Sequence, residues 1–123
     1  MLKILIVDDE PALVTLFHHL LERYGCQVES YDSGIAAIHR ASKFLPDVLL
    51  CDLHMPLSGI EVARQIKAIV PHCRLLLISG AHSEEIDCKD LPLKIIQKPI
   101  SADELLKEIG VDTLGTQSMT GTE

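Results

Sequence analysis

The sequence predicts a doubly wound α/β fold, in which a five-stranded parallel sheet of order 2-1-3-4-5 carries helices on both faces. Three short aliphatic runs predict its central strands, at residues 4–7, 48–51 and 75–78. These runs are continuous rather than alternating, which indicates strands buried on both faces, as in a parallel sheet covered by helices. Segments with a helical period separate the runs. Such alternation of strand and helix is typical of a parallel sheet with right-handed crossovers.

The first half of the chain supplies two strand–helix units. Pro11 suits the first turn of a helix over residues 11–24, and Gly25 suits the left-handed residue after its last turn. A second strand at residues 27–31 precedes a helix over residues 33–44, capped by Asp32 or Ser33. The apolar positions expected to face inward are Leu13, Leu16, Phe17, Leu20, Leu21 and Tyr24 in the first helix, and Ile38, Ala41 and Phe44 in the second.

The second half repeats the pattern with a shortened fourth helix. Capping-box patterns, Ser58 with Glu61 and Ser101 with Glu104, predict the starts of helices over residues 58–69 and 101–110. Only residues 80–92 separate the fourth strand from the fifth at 93–97, so the helix between them, over residues 83–91, is expected to be short. The inward positions are Ile60, Ala63, Ile66 and Ile69 in the third helix, and Leu105, Leu106 and Ile109 in the last.

Length and composition bound the class of protein. The 123 residues fit one domain, which we place at residues 1–110, with a flexible tail or linker at 111–123 that is rich in Thr and Gly. A net charge of -7 and an aromatic content of 3% argue against direct nucleic-acid binding. The apolar runs are too short to span a membrane. We therefore expect a cytoplasmic location, with reduced thiols at Cys26, Cys51, Cys73 and Cys88.

The chemistry is expected at the carboxyl ends of the strands, where ligands bind in doubly wound sheets. The first strand is followed by Asp8 and Asp9, the third by Asp52, the fourth by Ser79 and the fifth by Lys98. In the order 2-1-3-4-5 the three aspartates crowd together, and a hard divalent cation such as Mg²⁺ would relieve their repulsion. A cation, an ammonium and a hydroxyl around one carboxylate suit a phosphoryl group, with Asp52 as the attacking group.

At these positions the chain resembles the receiver domains of response regulators in bacterial two-component signalling. The motifs that carry the resemblance occur in order along residues 2–109. They are ILIVDDE at residues 4–10, DVLLCDLHMP at 47–56, LLISG at 76–80 and QKP at 97–99.

The resemblance implies a role for each site residue. Asp52 would accept a phosphoryl group from the phosphohistidine of a sensor histidine kinase or a phosphotransfer protein. Mg²⁺ would be bound directly by Asp9, Asp52 and the backbone carbonyl of His54, with Asp8 acting mostly through water. Ser79 and Lys98 would contact the phosphoryl group. The resemblance further implies a cis Lys98-Pro99 peptide. The chain would be a signalling domain that catalyses its own phosphorylation and dephosphorylation rather than an enzyme in the usual sense.

Three departures from the family pattern bear on its output. Ile95 stands where the family usually has a switch aromatic, the loop after Pro56 reaches Gly59 one residue early, and the fourth helix is short. An aliphatic side chain cannot make the ring rotation that couples to the Ser79 hydroxyl. These features leave the phosphorylation chemistry intact. They place in question the output route that is common in the family, through the face formed by the fourth helix and the fifth strand. The cognate kinase and the downstream effector cannot be identified from the sequence.

Other interpretations remain alongside this one. A phosphorylation-independent interaction module, a pseudo-receiver, would keep the pocket without the switch, and Ile95 favours it. A magnesium-dependent aspartyl-phosphate phosphatase needs a second carboxylate two residues beyond the nucleophile, where His54 stands. A dinucleotide-binding fold lacks its glycine-rich turn after the first strand. We expect the His54 imidazole to face solvent, Cys51 to lie in the core, and Glu10 to act as a helix N-terminal acid.

Overall fold

The chain forms one five-stranded parallel sheet in the order β2-β1-β3-β4-β5, as the sequence predicts. The computed structural model describes residues 1–80 and 91–111. The strands are β1 (Lys3–Val7), β2 (Gln27–Tyr31), β3 (Val48–Asp52), β4 (Arg74–Ser79) and β5 (Leu93–Gln97). The helices are α1 (Pro11–Arg23), α2 (Gly34–Phe44), α3 (Gly59–Ile69) and α4 (Ala102–Ile109).

Each central strand sends alternate side chains into two separate apolar layers, because successive residues of a strand point to opposite faces. Leu5 and Val7 of β1 pack in the layer that contains the buried faces of α2 and α3. Ile4 and Ile6 pack in the layer that contains α1 and α4. This two-sided burial explains why the strands read as continuous aliphatic runs, and it confirms the prediction of helices on both faces.

The helix ends follow the local signals in the sequence. Pro11 is the first residue of α1, and the Ser33 hydroxyl accepts a hydrogen bond from the Ala36 N–H at the start of α2. At α4 the capping box is complete, since Ser101 and Glu104 exchange hydrogen bonds between side chain and backbone. Gly25, at φ 87°, follows α1 in the left-handed conformation that its position predicts.

Three features of the helices differ from the prediction. Leu16 is 61% exposed, because it lies about 100° around the helix from Phe17, outside the stripe that Phe17 and Leu21 define. Ile69, the last residue of α3, is 39% exposed, and Val70 after it is buried instead. The Ser58 hydroxyl accepts from the Ile60 N–H, so a single side-chain cap replaces the predicted box with Glu61.

Some predictions fall partly or wholly outside the described residues. The short helix expected over residues 83–91 lies there except for Leu91, which is buried, and so do Cys88 and the tail beyond Val111.

Cys26, Cys51 and Cys73 are buried free thiols. Burial raises the pKa of Cys51 above its usual range and that of Cys73 to about 11. Within residues 1–80 and 91–111, no helix has the length and apolarity needed to cross a bilayer.

Candidate functional site

Strand register brings the predicted site residues to one edge of the sheet. Val7 of β1 is level with Cys51 of β3, so that Asp8 and Asp52 come next on neighbouring strands. Ser79 ends β4 level with Gln97 of β5, and the N–H of the following residue, Lys98, donates to the Ser79 carbonyl at 2.8 Å. The carboxyl ends of β1, β3, β4 and β5 thus supply every polar side chain that the sequence singles out.

Three carboxylates converge at the ends of β1 and β3. One oxygen each from Asp8, Asp9 and Asp52 lies within 4.8 Å of the others. Asp8 is 4% exposed and Asp52 is 7% exposed, whereas Asp9 is open to solvent. Like charges at this separation repel strongly in a partly buried site. The predicted clustering of these aspartates is therefore present in the structure.

Backbone amides orient the two buried carboxylates. The Glu10 N–H donates to Asp8 Oδ1 at 2.9 Å, and the His54 N–H donates to Asp52 Oδ1 at 3.2 Å. In each case the donor is two residues beyond the acid, so the turn that leaves the strand folds back onto the side chain. These bonds fix one oxygen of each carboxylate and hold the His54 backbone beside Asp52.

The charge state of Asp8 reflects its surroundings. Burial raises the pKa of its carboxyl, and the charges of Asp52 and Asp9 raise it further. The hydrogen bond from the Glu10 N–H and the charge of Lys98 oppose that rise without cancelling it. Ionised Asp8 is thus held at a cost in free energy, which a bound cation would offset.

Ser79 and Lys98 complete the edge of the site. The Ser79 side chain is buried at 3% exposure as the last residue of β4. The Lys98 ammonium lies 3.6 Å from Glu10 Oε1, and its charge acts on the Asp8 carboxylate. The peptide between Lys98 and Pro99 is cis, as the resemblance implies.

His54 and Ile95, which the sequence analysis singled out, are both exposed. His54 is exposed, as expected, and its backbone N–H donates to Asp52. Ile95 on β5 is 38% exposed. Cys51 points away into the α2 and α3 layer, and its buried thiol belongs to the core.

Gly59 makes a close approach that its residue type permits. A Cβ built on Gly59 would lie 2.5 Å from the Asp52 carbonyl oxygen and 2.8 Å from Leu53 Cα. The Gly59 N–H donates to the Leu53 carbonyl at 3.0 Å, which closes the loop after β3 against the start of α3. The glycine that arrives one residue early in the sequence therefore packs directly behind the end of β3.

An open cleft adjoins the acidic cluster on the side of β2. Its volume is about 240 Å³, and Asp8 and Asp9 are among its lining residues. Its other lining residues are Pro11, Val14, Thr15, Ser30, Tyr31 and Asp32. The cleft therefore borders two of the three clustered aspartates.

The ligands that the site offers fit magnesium. The clustered donors are all carboxylate oxygens, which hard divalent cations prefer, and no described thiol or imidazole belongs to the cluster. Burial first, and then the charges of Asp52 and Asp9, raise the pKa of Asp8, and a bound cation would oppose both effects.

The fold and this site together define the class of protein. The family model described as "Response regulator receiver domain" matches residues 4–110. The chain therefore belongs to the response regulator receiver domain family.

Known relatives agree with this assignment. The transcriptional regulatory protein CreB of Escherichia coli is 32% identical over 110 residues, which cover 85% of this chain and 47% of that protein. The response regulator receiver protein CpdR of Brucella abortus is 30% identical over 113 residues, with coverage of 89% and 94%. The solved structure of Vibrio cholerae chemotaxis protein CheY4 has a TM-score of 0.81 at 27% identity, with coverage of 89% and 97%. The chain thus spans about half of CreB and nearly all of CpdR.

Sequence reasoning missed one residue of the site. Glu10 stands at the N-terminus of α1, as expected, and its carboxylate also pairs with the Lys98 ammonium, which the sequence did not predict. The only signal available was its place at the same sheet edge as Lys98.

Proposed function

We propose that this chain is a phosphoacceptor receiver domain of a two-component phosphorelay, in which Asp52 accepts a phosphoryl group in a Mg²⁺-dependent reaction. The observation that carries the proposal is the convergence of Asp8, Asp9 and Asp52 within 4.8 Å, with Asp52 buried at the end of a strand. Lys98 follows β5 at the same edge of the sheet, and its charge lowers the pKa of Asp8, which places a positive side chain beside the cluster.

The proposed donor is the phosphohistidine of a sensor kinase or of a phosphotransfer protein. A carboxylate oxygen of Asp52 attacks phosphorus, the bond between phosphorus and the imidazole nitrogen breaks, and its electron pair stays with the imidazole. The product is an acyl phosphate on Asp52.

Each residue around Asp52 has a proposed task. Asp9, Asp52 and the His54 carbonyl would hold Mg²⁺, with Asp8 acting mostly through water. The bound ion would neutralise charge on the phosphoryl oxygens. Lys98 places an ammonium against the same oxygens and Ser79 offers them a hydroxyl donor, which stabilises charge where the transition state develops it.

Phosphorylation would then switch the interactions of the domain with its partners. CreB is described as a transcriptional regulatory protein and CpdR as a receiver protein, so relatives differ in how much chain accompanies the receiver. We also propose a cytoplasmic location for the domain. The pseudo-receiver alternative gains no support from the family match or from these relatives. We propose that the domain catalyses both the gain and the loss of its own phosphoryl group.

Incubation with acetyl phosphate and Mg²⁺, followed by intact-protein mass spectrometry, tests the proposal. We expect the wild type to gain the mass of one phosphoryl group, and Asp52→Asn or excess EDTA to abolish the gain. Asp103→Asn, which neutralises an exposed acid in the first turn of α4, serves as the matched control and should behave as wild type. A wild type that gains nothing, or an Asp52→Asn variant that keeps the gain, contradicts the proposal.

A further inference from the structure

The pair between Glu10 and Lys98 joins two strands that are not neighbours. Glu10 follows β1 and Lys98 follows β5, with β3 and β4 between them in the sheet. Parallel strands lie about 4.8 Å apart, so the two backbones are separated by roughly 14 Å. The two long side chains nevertheless meet, with Nζ 3.6 Å from Oε1.

Glu10 is not used as a helix cap. It is the N-cap residue of α1, yet its side chain accepts no capping hydrogen bond. Its carboxylate is 59% exposed and Lys98 is 26% exposed, so the partner that Glu10 holds is the more buried of the two. The Glu10 carboxylate therefore pairs with the Lys98 ammonium and makes no capping hydrogen bond to α1.

We propose that Glu10 is a positioning residue that competes with the phosphoryl group for Lys98 and so restrains phosphorylation of Asp52. This inference rests on the proposed function and adds to it a control on the same site. In the unmodified protein the Glu10 carboxylate holds the ammonium at the outer side of the cluster. A phosphoryl group on Asp52 brings a charge of about -2 and draws Lys98 inward.

The competition is weak enough to be reversible. A partly exposed pair at this distance contributes little net stability, and a half-exposed carboxylate returns to water at small cost. The exchange of partners by Lys98 therefore shifts the balance of phosphorylation by a modest factor. It does not block the reaction.

Two substitutions at Glu10 separate contact from long-range charge. Glu10→Gln removes the charge with the same side-chain length. Glu10→Asp keeps the charge and withdraws it by one methylene, which breaks the contact with Lys98. If Glu10 acts by holding Lys98, both variants should gain the phosphoryl group from acetyl phosphate about two- to fivefold faster than the wild type. Asp103→Asn, a charge change on the first turn of α4, should leave the rate unchanged.

A second measurement examines the contact without phosphorylation. The rate at which an amine-acylating reagent labels Lys98, followed by peptide mass spectrometry, should rise in both Glu10 variants and stay at the wild-type value in Asp103→Asn. This result is expected whether or not the protein accepts a phosphoryl group.

The outcomes distinguish the two proposals. A wild type that is not phosphorylated overturns the proposed function, and with it the restraint, even if the labelling of Lys98 confirms the contact. A wild type that is phosphorylated, together with Glu10 variants that react at its rate, overturns the restraint alone. A faster rate in Glu10→Gln but not in Glu10→Asp assigns the effect to long-range charge and also overturns it. Unchanged labelling of Lys98 in both Glu10 variants also overturns the restraint by Glu10.

Discussion

Asp8 combines burial, two neighbouring carboxylates and a single backbone donor in one place. Its raised pKa means that the folded state binds a proton more tightly than the unfolded state does. The free energy of unfolding therefore falls as pH rises from the unfolded pKa through the higher folded one, and the full cost is present above that point. Neutral Asp8 would remove the cost.

We expect Asp8→Asn to stabilise the protein at neutral pH when divalent ions are absent. The asparagine oxygen can still accept the hydrogen bond from the Glu10 N–H, while the repulsion from Asp9 and Asp52 is lost. Urea denaturation at pH 7 with EDTA should show a higher midpoint than the wild type, and the difference should shrink towards pH 4. A urea midpoint at pH 7 that is lower in Asp8→Asn than in the wild type would show that ionised Asp8 does not destabilise the folded state.

Gly59 is expected to tolerate no side chain. Gly59→Ala places a methyl group 2.5 Å from the Asp52 carbonyl oxygen, and both atoms nearest to it belong to the backbone. We predict a loss of about 1–3 kcal/mol in the free energy of unfolding, together with slower phosphorylation, because the end of β3 must shift.

Gly34→Ala is the matched control for this substitution, since Gly34 also begins a helix. Its added methyl group meets only side-chain atoms, a methyl of Val62 at 2.6 Å and Cδ2 of Leu57 at 3.4 Å, which can give way without moving the backbone at the end of β3. It should lower stability without changing the phosphorylation rate of the folded protein. Equal phosphorylation rates in Gly59→Ala and Gly34→Ala would contradict a special role for Gly59.

The residues of the site were predictable where each ends or follows a strand, as Asp52 and Ser79 do. A polar side chain that interrupts a buried run has to be explained, and the sheet order places these interruptions together. The Glu10 pair was not predictable in this way, because β1 and β5 are not adjacent and only the three-dimensional path of two long side chains joins them.

At the scale of elements, an ion pair ties β2 to α2. The Arg40 guanidinium donates to both oxygens of Glu29 at 2.8 Å, and the Tyr31 hydroxyl donates to Glu29 as well. These partners, Arg40 first, hold the pKa of Glu29 below its usual range. A lowered pKa contributes stability that is present above the unfolded pKa and is lost as pH falls through the folded one.

Arg40→Met should therefore destabilise the protein slightly at pH 7, with most of the difference lost at acidic pH. The pair is partly exposed, so added salt should reduce the effect. Chemical denaturation of both proteins from pH 3 to pH 7 measures it. A difference that is independent of pH would assign the role of Arg40 to packing of its aliphatic stem.

Helix positions were predictable, but helix faces were predictable only in part. Apolar spacing locates α1 and α3, yet Leu16 and Ile69 belong to the apolar pattern and are exposed. The apolar spacing shows how wide the apolar face of a helix is. Which residues of that face are buried depends on how the helix packs against the sheet. Caps show the same limit, since Ser58 begins α3 as predicted but bonds Ile60 rather than forming a box with Glu61.

At the scale of the whole molecule, the two apolar layers make the fold predictable and the sheet edge makes the site predictable. Continuous aliphatic strands leave only their ends for polar chemistry, so the same pattern that gives the doubly wound sheet also places the acids. The cleft beside β2 could not be foreseen, because its shape depends on how α1 seats against Ser30 and Tyr31.

Magnesium should stabilise the whole domain by binding only the native state. At a concentration about tenfold above its Kd, the gain is about 1.4 kcal/mol, which calorimetry would detect as a Tm shift of several degrees. Sodium chloride at matched ionic strength should give a smaller change, and Asp9→Asn should lose the magnesium effect. An unchanged Tm in millimolar magnesium would argue against the metal site.

The central claim is that Asp52 carries the phosphoryl group as an acyl phosphate. Hydroxylamine converts an acyl phosphate into a hydroxamate, which peptide mass spectrometry can locate after reaction with acetyl phosphate and Mg²⁺. The account predicts one hydroxamate, on Asp52. A hydroxamate on Asp8 or Asp9 instead, or a phosphoryl group that resists hydroxylamine on another side chain, would contradict it.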